Sequence, residues 1–172
     1  MDGISAAASI LAIATAGIQV SIKLFSLAKQ YSAASDRING ISVEVNFTSS
    51  VLKELAAHMV QGSTENDLKP DGNPANILTE SSLQITTSSA KICDKVIQEL
   101  KGMLKKASKQ IDNDEGTVIR EEVTLSRMER VKLLFQQPQL STLRDELGKA
   151  KDSLVFVLHL TTLAYAKKAV EL

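Results

Sequence analysis

"GISAAASILAIATAGIQVSIKL", residues 3–24, is the stretch on which the reading of this chain turns. Between Asp2 and Lys23 it holds no charged side chain. Three environments could accept it: a bilayer, the export machinery, or the core of a helical fold. An export signal opens on a positive residue, whereas the only early charge here is Asp2. "ATA", residues 14–16, still offers a cleavage site, so a secreted helical protein that binds lipid stays open as a third reading. A span needs roughly 20 uncharged residues, and the stretch supplies them. Ile4, Ile10, Leu11, Ile13, Ile18, Val20 and Ile22 would each gain about 0.3–0.6 kcal/mol in lipid, on the order of 3 kcal/mol together. Ser5, Ser9, Thr15, Gln19 and Ser21 work against that gain. Burying the same seven side chains in protein is worth about 1.5–3 kcal/mol each, on the order of 10–20 kcal/mol before entropy. The stretch therefore reads as a core helix at rest, for which lipid is a second solvent only moderately worse. Ala8, Ala12 and Ala16 allow neighbouring helices to approach closely in either setting.

The rest of the chain keeps the helical period. Ile38, Ile41, Val45, Thr48, Leu52, Leu55 and Met59 advance in steps of three and four, placing all seven on one helix face. Gly62 is the expected stop, and residues 62–76, with two prolines, form a long polar loop. A third helix is expected from Ile85, Ser89, Ile92, Val96, Leu100, Met103, Ala107 and Ile111, with lysines on its outer face. "DNDEGT", residues 112–117, reads as a turn, and residues 117–135 as a fourth helical segment. After Pro138 a last helix follows a seam of Leu140, Leu143, Leu147, Ala150, Leu154, Val157, Thr161 and Ala164. These patterns predict an all-α fold, an antiparallel bundle of four or five long helices with a hydrophobic N-terminal helix, in one domain spanning residues 1–172.

Composition agrees and narrows the function classes. Glycines and prolines are scarce, 8 and 3 in a chain of 172 residues, as suits a helical protein. Acids and bases balance, 20 against 20, and Trp is absent, so neither charge nor stacking aromatics point to nucleic acid. The single Cys93 cannot close an internal disulfide; beside Ile92, Val96 and Ile97 it reads as a small buried hydrophobe. His58 and His159 lie on separate helices without the ligand spacing of a metal site. No Gly-Lys-Ser/Thr phosphate loop occurs, and the paired acids at 121–122 and 145–146 point to different sides of a helix. We read no catalytic site, cofactor or metal here.

The opening "MDGISAAASILAIATAGIQVSIKLFSLAKQY", the following "SVEVNFTSSVLKELAAHM" and the closing "RMERVKLLFQQPQLSTLRDELGKAKDSLVFVLHL" resemble the fungal N-terminal domains of STAND/NLR-type proteins, the HeLo-like group. The resemblance implies a helical bundle that executes or relays a cell-death or incompatibility signal by oligomerisation and membrane targeting. It implies that residues 3–24 enter the bilayer, and the lysines that follow, Lys23 and Lys29, suit anionic headgroups. The partners it implies are further copies of the chain, membrane lipids on activation, and a NACHT or NB-ARC receptor in cis. The expected location is cytoplasmic at rest and membrane-associated when active. No Asn/Gln-rich prion-like tail or nucleotide-binding domain is present in these residues, so the chain reads as an isolated effector domain or as part of a larger receptor. A competing expectation is a soluble self-association module whose first helix never leaves the core.

Overall fold

The computed structural model describes residues 3–30, 35–66, 79–112, 135 and 138–170. Among them every element is α-helical: α1 (Gly3–Gln30), α2 (Ser35–Asn66), α3 (Glu80–Asp112) and α4 (Pro138–Val170). The segment at 117–135 lies outside the described residues apart from Phe135, whose side chain is buried in the core. The turn at 112–117 falls outside them too, beyond Asp112.

Local chemistry sets the helix ends. Asp36 sits in the first turn of α2 and Lys29 in the last turn of α1, each matching the helix dipole. Thr79 caps α3: its Oγ1 accepts from the Ser82 amide at 3.2 Å, and its carbonyl accepts from the Leu83 amide at 3.0 Å. Pro138 opens α4, where its missing N–H costs nothing. Gly62 does not end α2, which continues to Asn66. An interior glycine costs about 1 kcal/mol against alanine, which a long packed helix tolerates; Gly17, Gly40, Gly102 and Gly148 also lie inside helices.

The stripes on α2 and α4 form the heart of the core. All seven residues of the α2 series are buried, and the α4 seam is buried from Leu140 through Thr161. On α3 the expected residues Ser89, Val96, Leu100, Met103 and Ala107 are buried, and the line departs from expectation in its first turns. Ser82, Thr86, Ser89, Cys93, Val96 and Leu100 face in, whereas Ile85 and Ile92 are exposed. The Thr86 hydroxyl donates to the Ser82 carbonyl at 2.8 Å, so it enters the core with its hydrogen bond already made.

Neighbouring helices are α1/α2, α2/α4, α4/α3 and α3/α1, which close a four-cornered arrangement with α2 and α3 across the diagonal. Ser42 Oγ donates to the Ser21 carbonyl at 2.8 Å while Gly17 approaches Ser49, so α1 and α2 run antiparallel. Lys95 with Glu146, and Gln139 with Glu99, make α3 and α4 antiparallel. Glu44 with Arg144, and His58 with Tyr165, make α2 and α4 parallel, and α1 with α3 follows. Two sides of the bundle are thus parallel, where an antiparallel bundle with short connections was expected. The interval from Asn66 to Glu80 is the physical reason: its reach far exceeds the about 10 Å between packed helix axes, so α3 need not lie beside α2.

Candidate functional site

The first helix carries two seams, each stepping by three and four residues. The inner one runs Ala7, Ile10, Ala14, Gly17, Ser21, Leu24 and Ala28, and all of it is buried against α2 and α3. Most of these residues are small, which is what lets α1 approach its neighbours closely. A Cβ on Gly17 would overlap Ser49 Oγ and stand 3.0 Å from Ile97 Cδ1, so three helices converge there.

The outer seam runs Ile4, Ala8, Leu11, Thr15, Ile18, Ile22 and Phe25. Ile4 is 60% exposed, Leu11 44%, Ile22 63% and Phe25 45%, with Ile18 half-buried at the border. Only 39% of the most apolar window of this helix is buried, so α1 is not a helix enclosed on every side. In length and composition Ile4–Lys29 is the one candidate span among the described residues, as a core helix or signal sequence can also be.

The seven aliphatic residues singled out in the sequence therefore divide. Ile10 and Val20 are each 2% exposed and belong to the core. Ile13 and Ile18 are half-buried, and Ile4, Leu11 and Ile22 stand in solvent. The burial gain worked out for all seven at rest is accordingly too large, because three of them keep 44–63% of their surface exposed in the closed bundle. Lys23 and Lys29 are both exposed, and the Lys29 ammonium lies 4.6 Å from the Phe25 ring centroid. Leu140, Leu143, Leu147, Leu154 and Val157 line the interior and present no free surface.

Three of the hydroxyls that counted against lipid, those of Ser9, Thr15 and Ser21, are satisfied within the helix. Ser9 Oγ donates to the Ser5 carbonyl at 3.1 Å, Thr15 Oγ1 to the Leu11 carbonyl at 2.9 Å, and Ser21 Oγ to the Ile18 carbonyl at 2.8 Å. A hydroxyl already bonded to its own backbone costs much less to dehydrate than a free one.

The sequence reading did not single out Phe25, nor Val43, Phe47 and Val60 on α2, all exposed. The Ser21–Ser42 bond sets Ile22 and Val43 at the same level of the hairpin, and the α2 stripe through Val43 and Phe47 also carries the exposed Asp36 and Glu54. The signal for Phe25 was available: it continues the steps Ile4, Leu11, Ile18 at intervals of seven. Elsewhere, Phe156, Leu160 and Leu163 are exposed on α4 at similar spacing.

His58 packs on Tyr165 with ring centroids 5.1 Å apart, and His159 is exposed. Cys93 is buried, and loss of solvent pushes its thiol up to about 12. Among the described residues no three His, Cys, Asp or Glu side chains gather as a metal would need. No protein family, characterised protein or solved structure matches the chain significantly.

Proposed function

We propose that this chain is a signalling or effector domain that acts at a membrane, attaching through its N-terminal helix and assembling with further copies of itself. The resemblance to the HeLo-like group gives that action a setting in fungal programmed cell death or incompatibility, with a NACHT or NB-ARC receptor as activator in cis. The observation that carries the reading is the outer seam of α1, an uncharged and largely aliphatic stripe facing water on a helix whose Ser9, Thr15 and Ser21 hydroxyls are bonded to its own backbone. In this scheme Ile4, Leu11 and Ile22 meet lipid first, Ile13 and Ile18 border them, and Ile10 and Val20 follow only if α1 leaves the bundle. Lys23 and Lys29 meet the headgroups.

Leakage from vesicles containing phosphatidylserine, with the domain fused to an inducible dimeriser, tests it. Dimerised parent protein empties the vesicles, and Leu11→Asp with Ile22→Asp leaves them sealed. Intact vesicles under the dimerised parent reject the proposal.

A second reading, a soluble self-association module without membrane activity, is favoured by the same three-and-four spacing, which a partner helix could also pack against. Sedimentation equilibrium without lipid separates the two. A parent that self-associates, and a Leu11→Asp variant that does not, with no leakage from either, selects the second.

A further inference from the structure

The two seams of α1 are independent surfaces, and that separates membrane attachment from release of the helix. The inner seam is closed by the Gly17–Ser49 approach and the buried Ser42–Ser21 bond, while the outer seam already faces solvent. We infer that the folded domain docks flat on an anionic lipid surface through the outer seam of α1, with α1 still packed on α2. The inference rests on the membrane reading above and specifies how contact is made.

Charge selects lipid as the occupant. Between Gly3 and Gln30 the helix has no carboxylate, and its two charged residues are lysines. Lys29 continues the outer seam, four residues after Phe25, with its ammonium over that ring. A cation set at the edge of an apolar stripe is the arrangement of helices that lie in the interfacial plane. Size points the same way. With large apolar side chains exposing up to about 150–250 Å² each, the outer residues of α1 offer on the order of 400 Å². That is half of the about 800 Å² per partner typical of a stable protein interface, whereas an interfacial helix needs no minimum set by a partner's shape. A helix of 28 residues, at about 1.5 Å per residue, lays this stripe along roughly 40 Å of surface.

The structure supplies a lock for the test. A Cβ on Gly17 would stand 3.2 Å from Ser49 Cβ, within a few tenths of an ångström of the about 3.5–4.5 Å that a disulfide spans. Gly17→Cys with Ser49→Cys, oxidised or reduced, is sedimented with vesicles of phosphatidylcholine and phosphatidylserine and with phosphatidylcholine alone. Oxidised and reduced forms are expected to bind the mixed vesicles equally. Adding Leu11→Glu and Ile22→Glu to the locked form should weaken its partitioning at least about tenfold. Replacing Lys23 and Lys29 by Gln should remove about tenfold of the preference for phosphatidylserine. Binding lost on oxidation and regained on reduction overturns flat docking but leaves the membrane function standing. Absence of binding in both states overturns the two together.

An unlocked protein gives a second measurement. Nitroxides on Ala12→Cys and Ala57→Cys, exposed positions on α1 and α2, should keep one interspin distance free and on vesicles. A vesicle-induced increase beyond a helix diameter, about 10 Å, overturns the inference.

Discussion

Replacing Gly17 by alanine sets two effects of similar size against each other. By helix propensity alone the change stabilises α1 by about 1 kcal/mol. The new methyl, however, overlaps Ser49 Oγ and lies 3.0 Å from Ile97 Cδ1 and 3.2 Å from Ser49 Cβ. Inserting a methyl into so close a contact costs about 1–3 kcal/mol. The net expectation is a loss of about 0–2 kcal/mol, or roughly 2–4 °C in Tm per kcal/mol for a chain of this size. Ser49→Ala removes the overlapping hydroxyl, a turn of the Ile97 side chain relieves the second contact, and the 3.2 Å approach to the Cβ at position 49 is left for a shift of a few tenths of an ångström to relieve. In that background Gly17→Ala should become neutral or stabilising, giving a coupling of about 1–2 kcal/mol between the two sites. Urea unfolding of the four proteins, followed by far-ultraviolet circular dichroism, reads all of this. If Gly17→Ala stabilises by about 1 kcal/mol in both backgrounds, α1 does not approach α2 as described, and the inner seam is no lock.

Adjacent residues on the two seams should respond to very different degrees. Ile10→Ala, in the core, is expected to cost about 2–5 kcal/mol, and Leu11→Ala, on the outer face, under about 1 kcal/mol; equal costs in urea melts would mean that α1 is enclosed on both sides. Cys93 gives a pH signature: the fold keeps its thiol neutral up to about 12, while the unfolded chain loses that proton near 9.0. Between those values the unfolded state binds fewer protons, so this contribution to stability is complete below pH 9.0 and declines as pH rises towards 12. Cys93→Ala should flatten that alkaline slope, and an unchanged slope would place its origin elsewhere.

The core stripes of α2 and α4 were legible because their large aliphatic residues recur at helical spacing and face one direction. On α3 the same rule misled. The pattern places Ile85 and Ile92 inward and both are exposed, while the hydroxyl residues Ser82 and Thr86 hold the interior beside Ser89, which the pattern does place there. Hydropathy counts Ser and Thr as polar and is blind to a hydroxyl that donates back to the preceding turn. The order of helices around the bundle was also out of reach, because it depends on which faces meet across a long connection and not on any local pattern. For the candidate site, the sequence revealed an uncharged helix but not its division. Counting seven aliphatic residues as one set concealed that alternate members point in opposite directions, which the three-and-four steps already encode.

That division changes how the two solvents of α1 compete. Were one set of side chains shared between core and lipid, every gain at the membrane would be a loss to the fold. Here Ile4, Leu11, Ile22 and Phe25 are 44–63% exposed in the closed bundle, so passing that exposed surface into lipid withdraws little from the core. Insertion of the whole helix is a different step. It removes Ile10, Val20 and Leu24 from contact with α2 and α3, and uncovers the side chains those residues protect, Ile97 among them. Lipid replaces the environment of the departing residues but not of those left behind. The closed state is therefore favoured until something binds the three-helix remainder better than water does, a second copy or a receptor segment. On this reading the outer seam governs where the domain goes, the inner seam governs when it opens, and substitutions on one should leave the other's step unchanged.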